Sequence, residues 1–227
     1  MCGTSIIDNI LAYKTNPATK GVPTLKEADA CMELLNDTLS VTDDQARHAV
    51  RTLMRYIGED VEREGLLETP NRVIRAMKVW FSGYGKNPAD IMKVFEDGAE
   101  GCDEMIVVKD IPFYSNCEHH MAPIFGTATI GYLPDERIVG LSKLSRVLDI
   151  FARRMQVQER LTTQVADALM KHLQPLGCGV IITARHLCME SRGIEKQGHA
   201  TQTSALRGVF KTDPAARAEF LNLRNGS

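Results

Sequence analysis

No run of eighteen or more apolar residues occurs in the 227-residue chain, which excludes a helix that spans a bilayer. Charge of one sign is missing too. Lys and Arg number 27 against 29 Asp and Glu, a formal net charge of -2, so no global field draws nucleic acid or an anionic membrane. An anionic ligand would need a local cluster of cations. The N-terminus, Met1-Cys2-Gly3-Thr4-Ser5, lacks the basic region and apolar core of a secretory signal, and lacks the Met-Gly start of a myristoylation site. The expectation is a soluble, cytoplasmic protein. Cysteine is sparse: Cys2, Cys31, Cys102 and Cys178 form no disulfide framework and read as free thiols in a reducing compartment.

Against that background one stretch stands out. Cys117-Glu118-His119-His120 places a thiol, a carboxylate and two imidazoles in four consecutive residues. The short separation of Cys117 and His120 lets one turn aim both at a single metal ion. A third ligand must come from elsewhere, and Arg185-His186-Leu187-Cys188 is the best source. The spacing predicts a strand over Cys178–Glu190, whose alternation would put His186 and Cys188 on one side at its end. The assignment is Cys117, His120 and Cys188 as metal ligands, with His119 and His186 as free bases. Two sulfurs, one imidazole and an open fourth position make a catalytic zinc pattern. A zinc-bound water has a pKa near 7, which suits hydrolytic attack on an electrophilic carbon. The alternatives are a pair of buried free thiols, or a structural site closed by His119 or His186.

The 44% hydrophobic, 25% charged composition suits one large domain with or without an appendage. Residues 1–40 read as an arm, with one helical turn in Ile6–Leu11 and a helical pattern from Thr24 through Ala28, Cys31, Met32 and Leu35. Residues 41–98 form a helical segment. One helix is capped at Thr42-Asp43-Asp44, with Ala46, Val50, Leu53, Met54 and Ile57 as its buried stripe. The next starts at Thr69-Pro70 and carries Val73, Ile74, Met77, Trp80 and Phe81 up to Gly83. Residues 99–227 form the third region. Strands are expected over Glu104–Phe113, Ile124–Leu133 and Ile138–Leu141. A helix capped by Ser142 and a second from Val157 follow, then the Cys178 strand, a strand over Ala200–Phe210 and a helix over Pro214–Leu223. The fold class is α+β, an antiparallel sheet with two helices on one face, plus the N-terminal helical segment.

Glu159 falls at a helix start, where a carboxylate either complements the helix dipole or accepts two parallel N–H bonds from the N1–H and 2-amino edge of guanine. Lys143, Arg146, Arg153, Arg154, Arg160, Arg185 and Arg192 recur near these segments. Most suit a surface, and a subset suits a polyphosphate.

Cys117-Glu118-His119-His120, Gly140-Leu141-Ser142-Lys143, Gln156-Val157-Gln158-Glu159-Arg160-Leu161-Thr162 and His186-Leu187-Cys188 together resemble the motifs of the GTP cyclohydrolase I family, and Glu68-Thr69-Pro70-Asn71-Arg72 resembles its preceding helical segment. The resemblance covers roughly 40–223. It implies conversion of GTP and water to formate and 7,8-dihydroneopterin triphosphate, the entry to tetrahydrofolate or pterin cofactors. It implies Zn2+ as cofactor, His119 as proton donor to the purine nitrogen and His186 as a proton-transfer residue. Glu159 would anchor guanine, Gln158 would be a further substrate contact, and Ser142 would meet the ribose. Lys143, Arg146 and Arg192 would hold the triphosphate, with Arg72 reaching in from a neighbouring subunit. The implied architecture is the tunnelling fold, assembled as a homodecamer of two pentamers. Arg75 stands where some members carry Lys, and Met155 where Pro is common. A nitrile reductase of the same fold is the competing enzyme, but it needs no zinc pair.

Overall fold

The computed structural model describes residues 40–96 and 101–225. The expected turn at Ile6–Leu11 and the pattern from Thr24 to Leu35 lie outside the described residues. The chain divides between Pro70 and Asn71 into two compact units. No helix among the described residues is long and apolar enough to cross a membrane.

In the first unit, α1 (Asp43–Tyr56) starts on a capping box, with Thr42 accepting from the Gln45 amide and the Gln45 side chain accepting from the Thr42 amide. A short 3-10 turn, Glu64–Leu66, follows. The helical period was legible, but the burial of its stripe is corrected. Met54 is buried, whereas Leu53 and Ile57 are 63% and 76% exposed in the single chain. Spacing sets which side chains share a face, not whether anything covers that face.

Helix α2 (Thr69–Trp80) begins at the division. In the second unit α3 (Pro88–Ile91) leads to β1 (Val94–Phe95), β2 (Ile106–Cys117), β3 (Pro123–Leu133) and β4 (Ile138–Val139). Then come α4 (Leu141–Ala152), β5 (Met155–Gln156), α5 (Gln158–His172), β6 (Gly177–His186), α6 (Leu187–Glu190), β7 (Thr201–Gly208), α7 (Val209–Thr212) and α8 (Pro214–Asn225). The main sheet runs β5-β2-β3-β6-β7, antiparallel except for the short parallel β5–β2 pairing. The two-residue β4 pairs with β1 instead.

Helices α4 and α5 cover one face, packing Leu144, Val147, Leu148, Leu161, Val165 and Leu169 onto Phe113, Ile130, Val180 and Ile182. Phe210 and Phe220 cover one end of the other face with Ile181. Gly131 and Gly179 make room for Phe220: a Cβ on either would come within 2.7 or 2.5 Å of its ring.

Three boundaries differ from expectation. Ser142 is inside α4 and Gly140 is its cap, with no side-chain cap bond. Strand β2 continues to Cys117, so the reactive cluster begins on a strand. Strand β6 ends at His186, and Cys188 lies in the helical turn α6.

A bulge in β2 decides which side Cys117 faces. Val108 opposes Ile130 and Ile111 opposes Ala128, so Lys109 and Asp110 together oppose Thr129. Asp110 takes the extra residue's turn with φ of 53°. Before the bulge Ile106 and Val108 face the core; after it Ile111, Phe113, Ser115 and Cys117 do. A strand with strict period two would have turned Cys117 to the opposite face. Deletion of Asp110 is therefore expected to abolish metal binding by the folded protein, and Asp110→Gly to keep it, as read by metal content after dialysis.

Candidate active site

Cys117 ends β2 in a tight turn. Its amide donates to the Ala122 carbonyl at 2.8 Å and its carbonyl accepts from the Met121 amide at 2.8 Å. Met121 sits at φ 55°, and its carbonyl accepts from Asn116 Nδ2 at 3.1 Å. This closed turn brings His120 back over Cys117, with Sγ and Nδ1 3.9 Å apart. Across the sheet, β3 pairs Ile124 with His186, so the turn after β2 and the end of β6 share one end of the sheet. The donor atoms of Cys117, His120 and Cys188 all lie within 4.8 Å of one another.

These three residues fit a metal ion. Zn–S near 2.3 Å and Zn–N near 2.0 Å put tetrahedral donors roughly 3.5–3.8 Å apart. Burial pushes the Cys188 thiol up, and the neighbouring Cys117 adds to the shift. Two sulfurs this close favour thiolate only with a cation between them. By contrast, the fully buried Cys178 thiol is pushed up to about 12 by desolvation and stays protonated. His119 is outside the three-donor set, although its Nδ1 is 3.8 Å from Cys117 Sγ. Its ring is mostly exposed, beside Glu118 at 3.9 Å.

Cys188 reaches the site by a route that strand alternation did not supply. Arg185, at the end of β6, donates through Nε and Nη2 to the two carboxylate oxygens of Glu190 at 2.9 and 2.5 Å. Glu190 is 5% exposed and ends α6, so this fork closes the segment that carries Cys188. The Arg185 guanidinium holds the Glu190 carboxyl below the usual carboxylate range.

Other side chains tie the cluster to α5. Glu118 donates its backbone amide to the Gln156 carbonyl at 3.0 Å and pairs its carboxylate with Arg160, which keeps it below the usual range. Arg160 Nε also donates to Gln156 Oε1 at 3.1 Å. His186 Nε2 lies 2.7 Å from Gln158 Oε1. Burial holds the His186 imidazole below the usual histidine range; Glu159 and Glu190 oppose this and His199 adds to it.

The cations divide into two sets. Arg160 and Arg185 are paired as described; Arg153 faces Asp149 at 3.8 Å; Arg154 donates to carbonyls of Ile150, Gly83 and Lys86 and lies over the Phe151 ring. Among the described residues, no ion pair or hydrogen bond engages the side chains of Lys143, Arg146, Arg192 or Arg72. Lys143 is half-buried and the other three are exposed. Ser142, Lys143 and Arg146 share the first turns of α4, whose cap is the side-chain-free Gly140. Glu159 is exposed in the first turn of α5. The supporting roles of Arg160, Glu190 and Gln158 had no signal in the sequence beyond their closeness to the motifs.

The family model for GTP cyclohydrolase I matches residues 46–225. The chain belongs to the GTP cyclohydrolase I family. It is 59% identical over 181 residues to the "GTP cyclohydrolase 1" of Janthinobacterium sp. (strain Marseille), covering 80% of this chain and 91% of that one. It is 60% identical over 171 residues to the "GTP cyclohydrolase 1" of Nitrosospira multiformis, covering 75% and 90%. A solved structure, the archaeosine synthase QueF-Like in the apo form, aligns at a TM-score of 0.37 with 13% identity, covering 46% of this chain and 93% of that one. The α+β architecture is the tunnelling fold of the GTP cyclohydrolase I family.

Glu190→Ala is expected to weaken zinc affinity about 10-fold, the usual scale for a residue that orients a ligand. Competition against a graded chelator measures it, and unchanged affinity would show that the Arg185 fork does not hold Cys188.

Proposed function

We propose that this chain converts GTP and water to formate and 7,8-dihydroneopterin triphosphate, in the cytoplasm, at the entry to tetrahydrofolate and pterin synthesis. The supporting observation is the convergence of Cys117, His120 and Cys188 at the sheet end that also carries His186. The unengaged cations and Glu159 offer the complementary means of holding a nucleoside triphosphate.

Zn2+ held by Cys117, His120 and Cys188 would supply Lewis acidity that makes water nucleophilic at neutral pH. The remaining steps belong to the chain. Glu159 accepts the N1–H and 2-amino hydrogens of guanine, an edge that adenine cannot present. Lys143, Arg146 and Arg192 bind the triphosphate, with Ser142 on the ribose. His119 delivers a proton to the purine nitrogen as water adds at C8. His186, whose charged form burial disfavours, accepts and returns the proton that moves during ring opening and loss of formate. The ribose carbons then close the pterin ring.

Open sheet edges support assembly. Among the described residues, strand β7 pairs only with β6, and β2 meets β5 only at Asn116 and Cys117, which leaves Ile106–Ser115 without a strand partner on that side. Such edges join copies of one chain into a closed ring, which supports a homodecamer of two pentamers in which Arg72 enters a neighbour's site.

Incubation with GTP, following formate and the fluorescent oxidised pterin, tests the reading. Both products are expected with zinc, and neither after chelation or in Cys188→Ser. Glu159→Gln is expected to lower kcat/KM for GTP by about 100-fold or more, since it removes a charged acceptor from a paired guanine edge. Normal turnover in that variant would make Glu159 a helix-dipole residue only.

A further inference from the structure

Gln158 lies in the first turn of α5 and is 1% exposed, yet it is a polar side chain with both ends in use. Its Nε2 lies 3.1 Å from the Ile182 carbonyl oxygen, 3.0 Å from the Thr201 carbonyl oxygen and 3.1 Å from Thr203 Oγ1. Thr203 Oγ1 is itself 2.7 Å from Thr162 Oγ1, which also lies 2.7 Å from the Gln158 carbonyl. Two backbone carbonyls can only accept. The amide nitrogen must therefore face them, because a flipped side chain would set carbonyl against carbonyl in a buried site. That fixes the other end of Gln158 as an acceptor. His186 Nε2, 2.7 Å from this oxygen, must then be the donor. Among the described residues Nδ1 of His186 has no hydrogen-bond partner.

We propose that Gln158 is a positioning residue: it locks His186 as the Nε2–H tautomer, leaving the Nδ1 lone pair as the ring's proton acceptor. Such a role differs from the expected substrate contact of Gln158, since the chain's own atoms occupy its amide. It rests on the proposed role of His186 in proton transfer only for its effect on rate; the tautomer itself rests on the hydrogen bonds. The anchor is rigid because its acceptors belong to two adjacent strands, Ile182 on β6 and Thr201 and Thr203 on β7. A neutral histidine without such a partner distributes its proton between the two nitrogens, and only one of those forms can accept at Nδ1.

Histidine-selective nitrogen-15 spectra of the zinc-loaded protein at alkaline pH test this, with His186 identified by the signal lost in His186→Asn. Wild type is expected to show a protonated Nε2 and a bare Nδ1. Gln158→Met, similar in length but without an acceptor, is expected to show mixed tautomers and a kcat about 10- to 100-fold lower with KM for GTP unchanged. A wild-type spectrum with the His186 proton on Nδ1 overturns the proposal, even if Gln158→Met does not fold. So does a Gln158→Met protein whose tautomer is unchanged, whether its KM rises, as for a substrate contact, or only its thermal stability falls, as for a purely structural residue. Absence of formate release by wild type would instead overturn the function, and the spectrum would still decide the tautomer.

Discussion

The Cys117–His120–Cys188 cluster depends on how one strand counts its residues. Strand β2 enters the sheet with Ile106 and Val108 toward the core, and an unbroken alternation would deliver Asn116 there and turn Cys117 away. The extra residue at Lys109–Asp110 inverts that parity. Cys117 then shares the helix-covered face with Val180, Ile182 and Ala184 of β6, and the antiparallel register sets Ile124 beside His186 at the same end. A local irregularity thus brings together groups that are distant in sequence.

Around the thiols, the charges are arranged by use. Each cation that braces the scaffold has an internal partner: Arg160 on Glu118, Arg185 on Glu190, Arg154 on three carbonyls. Those contacts fix the turn after β2, the α6 turn, and the end of α4 against the Gly83–Lys86 segment. Lys143, Arg146 and Arg192 stand apart from this network, which leaves their positive charge for an anionic ligand.

Much of the architecture was legible because it rests on local period. The stripes of α4 and α5, the β3 strand and the terminal helix follow from apolar spacing alone. The pairing of Cys117 with His120 in one cluster was legible because they sit in one turn. Cys188 was placed correctly in the cluster by an argument that fails in detail: alternation stops at His186, and a helical turn held by Glu190 carries the thiol. The bulge was hidden because Ile106-Val107-Val108 is apolar at every position, which masks the change of parity between Val108 and Ile111. The Gln158 anchor was hidden for a different reason. Its partners lie 24 to 45 positions away, and only folding brings two carbonyls and a hydroxyl to one amide. The stripe of α1 shows the converse limit, since Leu53 and Ile57 keep the period without the cover.

X-ray absorption at the zinc edge of the loaded protein tests the central claim most directly, because it counts ligands by element. Two sulfurs at about 2.3 Å, one imidazole nitrogen near 2.0 Å and one further oxygen from solvent are expected. A shell of two sulfurs and two imidazoles, with no solvent oxygen, would make the centre a structural staple and contradict the catalytic reading.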